Sequence, residues 1–195
     1  MNADGPTTYK LAASDAAPPT SSSYWVVPSL LLAGAYPGDS DPERHHAKVD
    51  ALLAAGIRMF VNLMEEDETN YAGHPFVPYD EVVRESCPEA VCCRHPIKDL
   101  SVPASAEMVA ILDDIDQSLE LAKPTYVHCW GGVGRTGTVV GCWLLRHRLA
   151  TPENFIRVLD ALRQQDRERR HRVSPETPEQ QRFVRQWLSN DTGRR

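Results

Sequence analysis

Residues 125–137 read Thr-Tyr-Val-His-Cys-Trp-Gly-Gly-Val-Gly-Arg-Thr-Gly. The opening Thr-Tyr-Val is β-branched and aromatic, the composition of a strand on a pleated, half-buried surface. Beyond the run, 138–145 is nearly all apolar, as a helix buried on every side must be. Gly131, Gly132 and Gly134 lie between the two and permit positive φ and close backbone approach. A strand that turns through a tight loop directly into a buried helix predicts a layered α/β domain.

The rest of the chain fits that unit. Residues 57–63 and 90–95 read as two further buried strands, and 24–27 with 30–33, around Pro28-Ser29, as a strand pair with a tight turn. Asp41-Pro42-Glu43, Thr151-Pro152-Glu153 and Thr177-Pro178-Glu179 each supply an N-cap, a proline at the first helical position and an early acid. Thr177 with Gln180 also fits a capping box, and Gly56 suits the end of the first helix. Met108, Ile111, Leu112, Ile115 and Leu119 fall on one helical stripe. Phe155, Leu159 and Leu162 line another helix, and Phe183, Val184, Trp187 and Leu188 the last. Strands alternating with helices predict a mostly parallel sheet. One domain is expected over 23–190. A segment rich in Ala, Pro, Ser and Thr, 1–22, is expected to be disordered, and 191–195 to form a flexible tail.

Composition narrows function by exclusion. The 195 residues carry a net charge of -6, which argues against nucleic acid or an anionic membrane as partner, since both require a basic face. No apolar stretch approaches the roughly 20 residues that span a bilayer, and the N-terminus lacks the basic-then-apolar order of a secretory signal. Five cysteines, an odd number, point to a reduced, cytoplasmic chain. No CxxC pair occurs, Cys92 and Cys93 are adjacent, and His45 and His46 point apart on one helix. Neither a metal nor a cofactor is expected.

The spacing of Cys129 and Arg135 carries little alone, because Cys142 and Arg148 repeat it inside an apolar helix without a glycine. The stretch after Cys129 differs in kind. Its glycines let successive N–H groups turn inward as an anion nest. The loop runs into a helix N-terminus, whose free N–H groups and dipole attract negative charge. Arg135 adds a planar fork for two phosphate oxygens. The expected phosphate-binding set is therefore Trp130, Gly131, Gly132, Val133, Gly134 and Arg135. The same field favours the thiolate of Cys129, a nucleophile beneath a bound phosphoryl group. Thr136 is placed to donate a hydrogen bond to that sulfur. The ring of Trp130 either walls the pocket or packs under the loop.

Expelling an alkoxide or phenolate requires a proton donor. Asp99 is the candidate, in Ile97-Lys-Asp-Leu-Ser-Val-Pro103, on a loop 30 residues before Cys129. Once deprotonated it can activate the water that hydrolyses a phosphocysteine. Asp113, Asp114 and Asp116 fall mid-helix, where a solvated face is expected, and Glu65-Glu66-Asp67-Glu68 reads as a solvated loop.

His128-Cys129-Trp-Gly-Gly-Val-Gly-Arg135-Thr136-Gly137 closely resembles the signature of the cysteine-dependent protein tyrosine phosphatases, and most the compact, atypical dual-specificity branch. The likeness extends over roughly residues 24–188. It implies a central, mostly parallel four- to five-stranded sheet flanked by helices in three layers, with the loop at the carboxyl edge of its strand. It also implies a phosphocysteine intermediate, no metal, and phosphorylated proteins as partners. The position of Asp99 is similar to the family's general-acid loop. Residues 175–184 resemble the glutamine loop that orients the hydrolytic water. Gln180 matches its second glutamine, while Glu176 stands where the first would be.

Other readings meet specific obstacles. Gly132, Gly134 and Gly137 spell a dinucleotide-binding GxGxxG, but the helix that follows leads to another helix rather than to a second parallel strand. A phosphate-binding module without turnover shares the loop but has no use for Asp99. An inositol phosphate or phosphoinositide substrate wants extra cations near the pocket. Lys98 is the nearest, and Arg163, Arg167, Arg169, Arg170 and Arg172, interrupted by Asp166 and Glu168, read as a helix end. The expected substrate is a phosphoprotein, held in a shallow site that accepts phosphotyrosine and phosphoserine or phosphothreonine. Cys142 and Cys87 are alternative disulfide partners for a peroxide-oxidised Cys129.

Overall fold

The strand of the 125–137 stretch lies at the centre of a five-stranded sheet. The computed structural model describes residues 9–187. The strands are β1 (Ser23–Val27), β2 (Leu31–Gly34), β3 (Met59–Asn62), β4 (Val91–Arg94) and β5 (Thr125–His128). Their order across the sheet is β1-β2-β5-β3-β4. β1 runs antiparallel to β2, and every other pairing is parallel. The helices are α1 (Pro42–Ala54), α2 (Asp80–Ser86), α3 (Ser105–Glu120), α4 (Arg135–Arg146), α5 (Phe155–Arg163) and α6 (Pro178–Arg185). Connections through α1 and α2 run one way along the sheet and the connection through α3 runs back. Right-handed crossovers then put the two groups of helices on opposite faces. α4 packs on α3, α5 and α6 as well as on the sheet, so all its residues from Arg135 to Leu145 are buried.

Register sets up the site. Gly34, His128, Asn62 and Arg94, the last residues of four parallel strands, sit side by side. The loops that leave them all emerge at one carboxyl edge, where open α/β sheets bind their ligands.

Several local expectations are corrected. Residues 9–22 pack on the domain instead of belonging to a disordered 1–22. The Ala12 N–H donates to the Val26 carbonyl at 3.0 Å, the Arg167 N–H to the Ser21 carbonyl at 2.9 Å, and the Tyr9 ring lies 5.0 Å from that of Trp143. Backbone pairing with β1 needs no apolar period, which is why composition misses it. Residues 1–8 and the tail 191–195 lie outside the described residues. β4 is an edge strand with largely exposed side chains rather than a buried one. Thr151 does not cap α5: the Asn154 side chain accepts the Thr151 N–H at 2.8 Å, forming a turn, and the helix starts at Phe155. Asp116 is buried, where a solvated face was expected, because it accepts from Trp143 Nε1 at 2.8 Å and pairs with Arg146 and His147.

Candidate active site

β5 delivers Cys129 to the sheet edge, and the loop returns through Gly134 to Arg135 at the first turn of α4. Gly132 is obligatory here. Its φ is +67°, and a Cβ there would lie 2.4 Å from the Gly34 carbonyl carbon at the end of β2. At Gly137 a Cβ would meet Ser174 Oγ at 2.0 Å, because that hydroxyl reaches past α4 to the Val133 carbonyl at 2.7 Å. The loop is thus wedged between the β2 end and the segment before α6.

Cys129 is 3% exposed and Arg135 1%. The Arg135 guanidinium donates to both carboxylate oxygens of Glu68. Its Nη1 also donates to the Ile97 carbonyl at 3.0 Å, and its Nη2 lies 3.1 Å from Asp99 Oδ1. Burial opposes the guanidinium charge, but Glu68, Cys129 and Asp99 outweigh it and raise the pKa above its ordinary value. The Arg135 Nε is buried and has no hydrogen-bond partner among the described residues. A buried donor without a partner is costly, and an oxyanion over the loop would satisfy it.

His128 is fully buried between Tyr79, Tyr36 and Tyr126. Burial, the largest cause, pushes its pKa down to about 3, so the ring is neutral. Nδ1 faces the Cys129 carbonyl at 3.4 Å and carries the proton, leaving Nε2 to accept from the Tyr79 hydroxyl at 2.7 Å. The Cys129 backbone is thereby held from below by neutral groups.

The structure brings Asp99, Arg135 and the Cys129 loop together. The Asp99 side chain is 52% exposed, on a loop where Leu100 has a φ of 62°. Thr136 sits differently from expectation: its hydroxyl is 3.5 Å from the Gly34 carbonyl and makes no hydrogen bond to Cys129 among the described residues. The Trp130 ring joins a wall with Tyr71 at 4.3 Å and Phe76 at 5.6 Å. Gln180 is fully buried. Its Oε1 accepts from the Glu176 and Thr177 N–H groups, each at 3.1 Å, which is the capping box, and its Nε2 donates to Ser101 O on the Asp99 loop at 3.1 Å. The same Nε2 would lie 3.1 Å from a Cβ at Gly134, so the amide also abuts the loop. Glu176 pairs with Arg172.

Two features escaped the sequence reading. Glu68 belongs to the stretch read as solvated, yet its side chain is only 13% exposed and is bound to Arg135. Its position just past the carboxyl end of β3 was the available signal. Arg169 Nε and Arg172 Nη1 lie within 4.0 Å of where a Gly131 Cβ would be, at the mouth of the loop. The buried Arg163 holds them there by donating to the Arg169 and Arg172 carbonyls. A cleft of about 680 Å³ adjoins the site through Glu68, and Glu65, Glu66, Asp80 and Glu81 also line it.

The family model described as "Swiss Army Knife protein, DSP-PTPase phosphatase domain" (PTP-SAK) matches residues 20–184. Phosphatidylglycerophosphate phosphatase PTPMT1 of Arabidopsis thaliana is 30% identical over 131 residues, which is 65% of this chain and 33% of that protein. The chain therefore spans about a third of the length of this relative. Among solved structures, kinase-associated phosphatase with its catalytic cysteine replaced by serine superposes with a TM-score of 0.65 at 22% identity, covering 82% of this chain and 85% of that one. TpbA of P. aeruginosa in complex with phosphotyrosine superposes with a TM-score of 0.60 at 16% identity, covering 91% and 95%.

Proposed function

We propose, from the premise that the chain belongs to the PTP-SAK family of DSP-PTPase phosphatase domains, that it hydrolyses phosphate monoesters through a phosphocysteine on Cys129. The observation that carries this reading is Arg135. It is buried at the start of α4 with an unpartnered Nε, and its Nη2 lies 3.1 Å from Asp99.

The phosphoryl group sits in the nest of N–H groups from Trp130 to Gly134, with Arg135 gripping two of its oxygens. The Cys129 thiolate attacks phosphorus in line. The bond to the leaving oxygen breaks as Asp99 gives that oxygen a proton. Asp99, now a carboxylate, takes a proton from water as the water attacks the phosphocysteine, which releases phosphate and the thiolate. Glu68 holds the guanidinium in one orientation throughout. The Gln180 Oε1 is committed to the cap, so its contribution to placing the water is limited to its remaining Nε2 hydrogen.

The substrate we favour is a phosphoprotein bearing phosphotyrosine, with phosphoserine and phosphothreonine also accepted. The Trp130, Tyr71 and Phe76 wall offers a stacking surface for a phenyl ring beside the loop. A second reading is an inositol phosphate or phosphoinositide, favoured by Arg169 and Arg172 at the loop mouth and by the PTPMT1 relative. Against it, Arg169 is already paired with Glu168 and Arg172 with Glu176, so little free positive charge faces a polyanion. A reducing, cytoplasmic setting suits a mechanism that needs a free thiolate. No helix among the described residues is long and apolar enough to cross a membrane.

The test is hydrolysis of para-nitrophenyl phosphate, followed by kcat/KM across phosphopeptides and inositol phosphates. Turnover that disappears in Cys129→Ser while oxyanion binding persists is the expected result. A wild-type rate equal to that of Cys129→Ser would leave a phosphate-binding module. A preference for inositol phosphates that Arg172→Ala abolishes would establish the second reading.

A further inference from the structure

Away from the phosphate loop, the edge of the sheet carries a group of side chains that the hydrolysis does not use. Successive residues of a strand point to opposite faces. His95 extends the β4 ladder, its N–H donating to the Asn62 carbonyl at 2.9 Å, so Cys93 and His95 share a face two residues apart. The neighbour on that face is α3. Its Asp113 and Asp116 turn toward α4, where they bind Arg146, and Asp116 also binds Trp143 and His147. Asp114 turns the other way and meets His95 Nε2 at 2.8 Å. The Cys93 sulfur, a His95 ring nitrogen and an Asp114 oxygen all lie within 4.8 Å of one another, and all three residues are half-buried.

We propose that Cys93, His95 and Asp114 form a binding site for a zinc-class divalent ion, with water as the fourth ligand. One thiolate, one neutral imidazole and one carboxylate balance a dication. The sulfur and imidazole select zinc-like ions over magnesium or calcium. Metal–ligand bonds of about 2.0–2.3 Å at tetrahedral angles place donor atoms roughly 3.4–3.6 Å apart. The ion therefore opens the His95–Asp114 contact of 2.8 Å slightly and draws in the other pairs, none wider than 4.8 Å, by at most about 1 Å, a movement available to half-buried side chains on a sheet edge. On binding, the Cys93 thiol gives up its proton to solvent and the sulfur bonds the metal. Partial exposure provides the path for the ion and room for the water. The adjacency of Cys92 and Cys93, which spoke against a zinc site in the sequence, is immaterial here, because Cys92 belongs to the opposite face of β4. β4 and α3 flank the 95–104 segment that carries Asp99, so the ion ties together the two elements from which the acid loop is hung.

The experiment uses the full chain with Cys129→Ser, so that the loop thiol cannot bind metal, and adds Co²⁺ or Zn²⁺ alone. One equivalent of Co²⁺ should produce a thiolate-to-cobalt charge-transfer band with tetrahedral d–d absorption. Adding Cys93→Ser should remove the band and weaken Zn²⁺ binding at least ~tenfold, and Asp114→Asn should weaken it comparably. Cys92→Ser should change neither. Absence of a charge-transfer band, or a band that survives Cys93→Ser or requires Cys92, would overturn the proposal and leave His95–Asp114 as a plain hydrogen-bonded contact. Far-UV circular dichroism of each variant separates lost binding from lost folding, and Asp114→Asn keeps the side-chain shape should Cys93→Ser fold poorly.

Discussion

His128 gives the domain a pH-dependent stability that can be worked out from its surroundings. The ring is enclosed by Tyr36, Tyr79 and Tyr126, and burial lowers its pKa from 6.5 to about 3. In the unfolded chain it titrates near its ordinary value. The unfolded state then binds the extra proton below about pH 6.5, and stability present above that pH is lost on acidification. Linkage between a folded value of about 3 and an unfolded value of 6.5 gives a loss of roughly 2 kcal/mol between pH 7.5 and pH 5. His128→Gln keeps a neutral acceptor for the Tyr79 hydroxyl but has nothing to titrate. It is less stable than wild type at pH 7.5, having lost packing, yet the deficit shrinks by roughly 2 kcal/mol at pH 5. Urea unfolding followed by tryptophan fluorescence at both pH values, in reductant, measures this. A deficit of equal size at the two pH values would show that His128 takes up no proton on unfolding, and the picture of a neutral ring supporting Cys129 would be wrong.

Glu68→Gln should lower kcat/KM for para-nitrophenyl phosphate by about 10–100-fold, because Arg135 loses the carboxylate that aligns it; an unchanged value would reduce the pair to a structural contact. Gly132→Ala should destabilise by about 1–3 kcal/mol and abolish phosphate binding, since its Cβ meets the Gly34 backbone, whereas Gly131→Ala, whose nearest neighbours are 3.9 Å away, should do neither. Thermal melts with and without phosphate read out both. Asp99→Asn should slow esters with poor leaving groups more than nitrophenyl phosphate, and equal slowing of both would remove Asp99 from the role of acid.

The legible parts of this molecule were those written in local grammar. The strand–loop–helix unit, the Asp41 and Thr177 caps and the α3 stripe depend on neighbours in sequence, and they appear where the chain spells them. Asp99 stands out in the sequence because an acid on a loop between strand and helix has few local duties, and the structure sets it beside Arg135. Glu68 does not stand out, because four successive acidic residues look like surface charge until strand order brings the end of β3 beside β5. Residues 9–22 were misjudged for a related reason: their order comes from backbone bonds to β1 and to the 165–167 turn, which leave no mark on composition. The arginines of 163–172 divide in a way that charge counting cannot show. Arg163 is a buried fastener, while Arg169 and Arg172 stand at the loop mouth.

The same accounting explains why binding and folding are hard to separate at this sheet edge. Arg135 donates to Glu68 after β3 and to Ile97 O after β4, and it approaches Asp99 on the 98–103 loop. Gln180 joins the start of α6 to Ser101 on that same loop and presses against Gly134. The loops after β3 and β4 are therefore fixed by side chains that also border the proposed anion site. Such an arrangement needs little reorganisation when an anion arrives, which is where preorganised dipoles gain their advantage over water. It also makes the unpartnered Arg135 Nε informative. Among the described residues the Arg135 Nε is a buried donor without a partner beside Glu68, Ile97 O and Asp99, and the proposed phosphoryl group would supply the acceptor it lacks.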